Sequence, residues 1–262
     1  MTEIKKRTTA STLLADKQNH RKQVWLTAYD TTSATLAEMA GIDVILVGDS
    51  LGMVSLGFDS TIPVTLEHMI HHTAAVVRGT DKAWVVCDLP FGSYQQSPEQ
   101  AFASAAQVLQ QTGCDAVKIE GGKHMAATIE FLSLRGIAVV AHIGLTPQSV
   151  KKFGGFKKQG QNPEAAQLIL DDAQAVNDAG AVAVVLECIP EDLAANITQS
   201  IAIPTVGIGA GKHCDAQVLV WHDLLGLSEK NPPFAPAYAN LREQITTAIS
   251  QWSNDVRSGK QP

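Results

Sequence analysis

The 262-residue sequence lacks most of the marks that assign a chain to a special class. It has no Cys-x-x-Cys pair. Cys87, Cys114, Cys188 and Cys214 stand far apart, mostly in or beside apolar runs, and read as reduced core residues that pack as small hydrophobes. No apolar stretch approaches the length of a bilayer span, and the basic start MTEIKKRTTASTLLADKQ holds no continuous apolar segment of the kind that directs secretion. The cytoplasm is therefore the expected compartment, with no membrane partner. Basic residues do not cluster except briefly at 151–158, and the formal net charge is -6. That balance removes the electrostatic basis for nucleic-acid binding. Low-complexity segments and domain linkers are missing too, and no G-x-G-x-x-G turn follows the first strand-like run, which argues against a doubly wound open sheet.

What is present is a large apolar core in repeated pieces. Hydrophobic residues make up 45% of the chain and charged residues 18%, enough to fold without disulfides or structural metals. Short runs rich in Val and Ile occur at 25–30, 44–50, 84–90, 116–121, 138–144, 183–188, 204–209 and 217–222. Nearly continuous hydrophobicity without polar alternation is the pattern of strands buried on both faces, as in a parallel sheet covered by helices. Between them, Ser97 followed by Pro98 opens a helix that stops at Gly113, and Asn162 followed by Pro163 opens one that stops at Gly180. Gly41, Gly79, Gly113, Gly136 and Gly180 each stand just before a strand, where a helix end calls for positive φ. Eight strands with this recurring punctuation predict one (β/α)8 TIM barrel over 1–262, with an extra helix at 8–20 before the first strand and an amphipathic helix at 236–257.

The strands end repeatedly in polar residues: Asp30, Asp49 with Ser50, Asp88, Lys118 with Glu120, His142 and Glu187. In a barrel these ends converge on one mouth. Carboxylates withdrawn from water need a cation, and a few hard oxygen ligands suit Mg2+, which keeps waters and binds substrate oxygens. Asp49, Asp88 and Glu120 are the natural metal trio, and no imidazole-rich set accompanies them to favour zinc or copper. Each alone can also be a helix cap, the better reading for Asp30 ahead of Thr31 and Thr32. Lys118 and Glu120, two apart on a strand, face the same side; Lys118 then serves either a substrate carboxylate or a structural ion pair. His142 is placed to donate a hydrogen bond to a bound oxygen. His68, His71 and His72 have metal-like helical spacing, but they follow the cap residue Thr65 and read as surface or interface histidines. The glycines at 207, 209 and 211 either bring backbone N–H groups to an anion or turn the chain tightly.

Long words in order, LTAYD, GDSLGMVSLGFDSTIPVTLEHM, CDLPFGSY, VKIEGG, HIGLTPQS, VLECIP and GIGAG, carry a resemblance to the ketopantoate hydroxymethyltransferase family from about residue 22 to about residue 240. Departures are few: Phe58, Ile119 and Ala216 stand where Tyr, Leu and Gly are common in related sequences, and none is a proposed ligand. The resemblance implies a phosphoenolpyruvate/pyruvate-type barrel, Mg2+, 5,10-methylenetetrahydrofolate as co-substrate, a branched 2-oxo acid as acceptor, a place in pantothenate biosynthesis and a homodecamer. Carried over residue by residue, it makes Asp49 and Asp88 direct metal ligands, with Glu120 completing the site. Ser50 and Lys118 then hold the oxo acid carboxylate, Glu187 accepts the proton, and His142 is a neighbouring substrate-site group.

The chemistry these assignments predict is an aldol-type addition through a Mg2+-stabilised enolate, with Glu187 as general base at C3. Two other readings compete. A Mg2+-dependent lyase of the same barrel group uses a related enolate, but such lyases commonly carry a reactive cysteine in a mobile loop, and Lys151 to Gln161 has none. A non-catalytic barrel subunit leaves so many converging charges without a use. The polar stretch from Gly144 to Gln161 is expected to be a mobile lid over substrate or the folate tail.

Overall fold

The computed structural model describes residues 7–260. Eight parallel strands close in sequence order into a barrel: β1 (Gln23–Thr27), β2 (Val44–Val47), β3 (Trp84–Asp88), β4 (Ala116–Glu120), β5 (Val139–Gly144), β6 (Ala183–Glu187), β7 (Thr205–Ile208) and β8 (Ala216–Leu219). Helices α2 (Thr31–Met39), α3 (Leu51–Val54), α4 (Leu66–Arg78), α5 (Pro98–Thr112), α6 (Ala126–Ser133), α7 (Val150–Phe153), α8 (Pro163–Asp178) and α9 (Glu191–Ser200) lie in the connections. The chain divides into two compact units, Met1–Val218 and Leu219–Pro262. No helix among the described residues is long and apolar enough to cross a membrane.

The expected helix starts form for the expected reasons. Ser97 accepts a hydrogen bond from the Gln100 N–H, Asn162 from that of Ala165, and Thr65 from that of His68. Asp30 caps α2 through Ser33 and so is a capping residue, as its neighbours predicted. Gly41, Gly113, Gly136 and Gly180 adopt positive φ, but Gly79 does not: its φ is -95°. There the side chain is excluded by crowding, because a Cβ would lie 2.6 Å from the carbonyl oxygen of Thr31. The run at 217–222 is also corrected. Its strand ends at Leu219, and Trp221–Leu224 is a short helix, α10.

Ahead of β1, the predicted extra helix is present as α1 (Ala10–Gln18). Its Leu13 is fully buried and packs with Trp25, Val44 and Trp84, residues near the starts of their strands. Lys17 reaches the carbonyls of Thr198 and Ile203 and the Asp215 carboxylate, all at the same end. The helix therefore plugs the N-terminal end of the barrel, leaving the opposite end for chemistry.

The barrel interior follows the two-residue period of strands. Val44 and Leu46, Trp84 and Val86, Ala116, Val140, and Ala183 and Val185 belong to one apolar cluster. Two residues further along the same faces stand Asp88, Lys118, His142 and Glu187, with Glu120 one step beyond Lys118. Strand register places them side by side: Asp88 opposite Lys118, Glu120 opposite His142, and Gly144 opposite Glu187.

The second unit contains α10 and α11 (Leu241–Arg257). Helix α11 starts later than the pattern at 236–257 suggested, because Asn240 caps it through Glu243. Its apolar residues Ile245, Ile249, Trp252 and Val256 are exposed.

Candidate active site

At the C-terminal mouth of the barrel, Asp49, Asp88, Lys118, Glu120 and His142 are all buried, and Glu187 keeps 14% of its side chain exposed. Gly48 leaves room for the Ser50 hydroxyl, because a Cβ there would sit 2.8 Å from Ser50 Oγ, and beside it the Asp49 N–H donates to Asp88 Oδ2 at 3.0 Å. Ser50 lies at the edge of this group, with its hydroxyl 2.9 Å from that of Tyr29. Lys118 Nζ is 3.2 Å from Asp88 Oδ1 and 3.2 Å from His142 Nδ1.

The electrostatics are lopsided. Four carboxyls share one ammonium, since burial and the nearby Lys118 hold the His142 imidazole well below its usual range and keep it neutral. Burial opposes the charge on Lys118 as well, but Asp88, Glu120 and Asp49 outweigh it and keep that amine protonated. Burial and the neighbouring Asp88 push Asp49 up to about 7, against the pull of Lys118 and Gln148. Burial also raises Glu120 far above the carboxylate range, and it pushes Glu187 up to about 7 despite Lys118.

The proton on His142 can be placed. An ammonium only donates, so Nδ1 accepts from Lys118 and the ring N–H is Nε2. That atom lies 3.2 Å from Glu187 Oε2, close but short of an aligned hydrogen bond. Asp88 Oδ1 and Glu120 Oε1 are buried without a hydrogen bond either.

Among the described residues, no three His, Cys, Asp or Glu side chains form a ready-made metal cage. The donor set nonetheless fits a hard divalent cation. Its ligands are oxygens. Glu120 Oε1 takes no hydrogen bond, Asp88 Oδ1 has only the Lys118 ammonium beside it, and burial together with the neighbouring carboxylates raises the proton affinities of Asp49 and Glu120. Mg2+ uses one or two protein carboxylates and fills its other positions with water and substrate oxygens, so a closed cage is not required.

Sequence reasoning missed two members of this group. Gln148, buried after β5, donates from Nε2 to Asp49 Oδ2 at 2.9 Å, and its backbone N–H donates to Glu120 Oε2 at 3.0 Å. Buried Tyr94 donates to Gln148 Oε1 at 2.7 Å and accepts from the Glu120 N–H at 3.0 Å. Both lie inside words that carried the family resemblance, GLTPQS and CDLPFGSY, yet neither amide nor phenol ends a strand, and so neither met the pattern being sought. The stretch expected to be a lid is only partly exposed. Leu145, Thr146, Gln148 and Val150 are buried, while Lys151, Lys152, Lys157 and Lys158 are exposed.

The histidines of α4 stand apart from this site. His68 closes the capping box with Thr65, and His72 Nδ1 is 2.6 Å from the Tyr29 carbonyl oxygen. Cys188, directly after Glu187, has a φ of 47°, so the chain turns sharply where β6 ends. Burial and Glu187 raise its thiol to about 11, which leaves it unreactive.

The chain is similar to proteins of known kind over almost its whole length. It is 55% identical to the 3-methyl-2-oxobutanoate hydroxymethyltransferase of a Cyanothece species, over 94% of this chain and 95% of that protein. The enzyme of the same name from a Synechocystis species is also 55% identical, over 97% and 98%. Among solved structures, 2,3-dimethylmalate lyase, a member of the PEP mutase/isocitrate lyase superfamily, superposes with a TM-score of 0.61 at 17% identity, covering 96% of this chain and 88% of its own. That likeness establishes the barrel type. With residues 7–262 matching the family described as ketopantoate hydroxymethyltransferase, the chain belongs to that enzyme family.

Proposed function

We propose that the protein transfers a hydroxymethyl group from 5,10-methylenetetrahydrofolate to 3-methyl-2-oxobutanoate, yielding 2-dehydropantoate for pantothenate biosynthesis. The observation that carries the reading is the charge arrangement at the mouth: the carboxylates of Asp49, Asp88 and Glu120 on one side and Glu187, poised near neutrality, on β6, with His142 of β5 between.

Asp49 and Asp88 would hold Mg2+, with Glu120 completing its surroundings. When bound, the cation supplies Lewis acidity that makes the C3 proton of the oxo acid easier to remove. Lys118 and Ser50 receive the substrate carboxylate; Lys118 is already protonated and anchored to Asp88. Glu187 takes the C3 proton. With a proton affinity near neutrality it serves as base at physiological pH and releases the proton readily afterwards. The Nε2–H of His142 lies beside Glu187 Oε2 and steadies the carboxylate as it ionises. The C3 electron pair then bonds to the methylene carbon, both N–CH2 bonds of the folate break, its two nitrogens take up the C3 proton and one proton of water, and that water supplies the hydroxyl group.

The segment after β5 would act as a lid, its exposed lysines offering positive charge to the anionic folate tail. A homo-oligomer, decameric as the family resemblance implies, and a cytoplasmic location complete the proposal. The test is C3 proton exchange of 3-methyl-2-oxobutanoate in deuterated water with Mg2+ and without folate. Exchange is expected for the wild-type protein and lost on chelation; exchange that survives exhaustive chelation refutes the reading.

A further inference from the structure

Gln148 has all four hydrogen-bonding positions of its amide filled. Its Nε2 donates to Asp49 Oδ2 and to the Leu89 carbonyl, both at 2.9 Å. Its Oε1 accepts from the Tyr94 hydroxyl at 2.7 Å and from Gln95 Nε2 at 3.0 Å. Acceptors lie on one side and donors on the other, so the amide has one orientation. A flipped amide would set its oxygen against the Asp49 carboxylate. In addition, the Gln148 backbone N–H donates to Glu120 Oε2. One residue therefore holds one oxygen of Asp49 and one of Glu120, while Glu120 Oε1 takes no hydrogen bond.

The position along the chain adds a second consequence. Gln148 lies in the turn Pro147–Ser149, which leads directly into α7 and the exposed lysines beyond it. Any shift of that segment moves the amide that Asp49 leans on.

We propose that Gln148 is a positioning residue for the divalent-cation site: it selects which oxygen Asp49 and Glu120 each present, and it links that choice to the segment after β5. The inference rests on the reading of Asp49, Asp88 and Glu120 as the cation site. A carboxylate oxygen already engaged by an N–H donor is a poorer metal ligand than its free twin. Loss of the amide leaves the Asp49 carboxylate free to rotate and to bond Lys118 instead. Hydrogen-bonded groups of this kind, one layer out from a metal, typically change affinity by about 10–100-fold when removed.

The test uses Mn2+ as the probe, with the free ion measured by electron paramagnetic resonance in the absence of oxo acid and folate. Gln148→Leu is expected to weaken Mn2+ binding at least tenfold and to raise the KM for Mg2+, with kcat at saturating Mg2+ changed by less than threefold. Gln148→Glu, which sets a carboxylate against Asp49, weakens binding further. Saturating Mn2+ is expected to slow tryptic cleavage at Lys151 and Lys152 in the wild-type protein and to lose that effect in Gln148→Leu. Mn2+ affinity within twofold of wild type, or unchanged protection from trypsin, overturns the proposal. Should Gln148→Leu fail to fold, Tyr94→Phe decides. It removes the hydroxyl that holds Oε1 and is expected to weaken Mn2+ binding severalfold; wild-type affinity in that variant overturns the proposal equally. A failure of the underlying site reading looks different: Asp88→Asn would then bind Mn2+ as well as wild type does.

Discussion

Replacing Glu187 with glutamine removes an ionisation that the fold opposes while keeping the shape of the side chain. Burial raises the Glu187 carboxyl from the ordinary 4.5 to about 7. The folded protein thus holds this proton more tightly than the unfolded chain does. The stability that the proton contributes is fully present below pH 4.5 and is lost as pH rises through about 7. At about 1.4 kcal/mol for each tenfold change in proton affinity, the loss amounts to about 3 kcal/mol by pH 8. Glutamine cannot ionise and escapes it. In urea unfolding of metal-free protein at fixed concentration, the stability of Glu187→Gln relative to wild type is expected to improve by about 3 kcal/mol between pH 4.5 and pH 8. Reading the change between two pH values cancels any fixed cost of the new amide. The same samples, returned to Mg2+, are expected to show C3 proton exchange reduced by at least a hundredfold. Stability curves that run parallel across the pH range refute the electrostatic argument. Exchange at the wild-type rate refutes the assignment of the base.

Three further outcomes follow from the same geometry. Because burial and Asp88 raise Asp49 to about 7, protons compete with the cation there, so Mn2+ affinity measured by calorimetry should fall about tenfold for each pH unit below 7. Leu13→Ala empties a fully buried site in the plug beneath the barrel and should cost about 2–5 kcal/mol in urea unfolding, with the exchange rate at saturating Mg2+ nearly unchanged. Trypsin cleavage within Lys151–Lys158 should slow when Mg2+, oxo acid and tetrahydrofolate are present together, and equal cleavage with and without them would dismiss the lid.

The barrel was legible because strand burial and strand period are both local properties. Once Val86, Ala116, Val140 and Val185 are taken as interior, the positions two residues on are interior as well, and these are Asp88, Lys118, His142 and Glu187. Asp30 was legible as a cap for an equally local reason, the run of hydroxyl residues that follows it. Other features depend on partners distant in the chain. Gly79 reads as one more helix terminator, but its glycine is required by the Thr31 carbonyl, which lies 48 positions earlier. Gln148 reads as loop polarity, and only the fold brings it to Asp49, 99 residues away. The tail of the 217–222 run is apolar enough for a strand, yet Trp221–Leu224 closes backbone hydrogen bonds onto Val220 and Trp221 and becomes helix.

The charges at the mouth are arranged at the expense of stability. Burying four carboxyls around one ammonium is unfavourable for a protein that has only to fold, and apolar residues of similar volume would fill the same positions at lower cost. The eight-stranded scaffold supplies the surplus that tolerates it, through an interior layer of Val, Ala and Trp and a helix plugging the opposite end. The strain is also directed. Oxygens without hydrogen bonds belong to Asp88 and Glu120, and the nitrogen without an aligned partner faces Glu187. These three atoms at the mouth therefore lie where a cation or a proton would be held. Conversely, the polar atoms of Gln148 that hold the Asp49 and Glu120 carboxylates, and the Tyr94 hydroxyl that holds Gln148, are fully matched. An inner layer left unsatisfied and an outer layer fully satisfied is the pattern expected of a preorganised site, because rigid support lets the inner groups stay poised for ligands instead of collapsing onto one another.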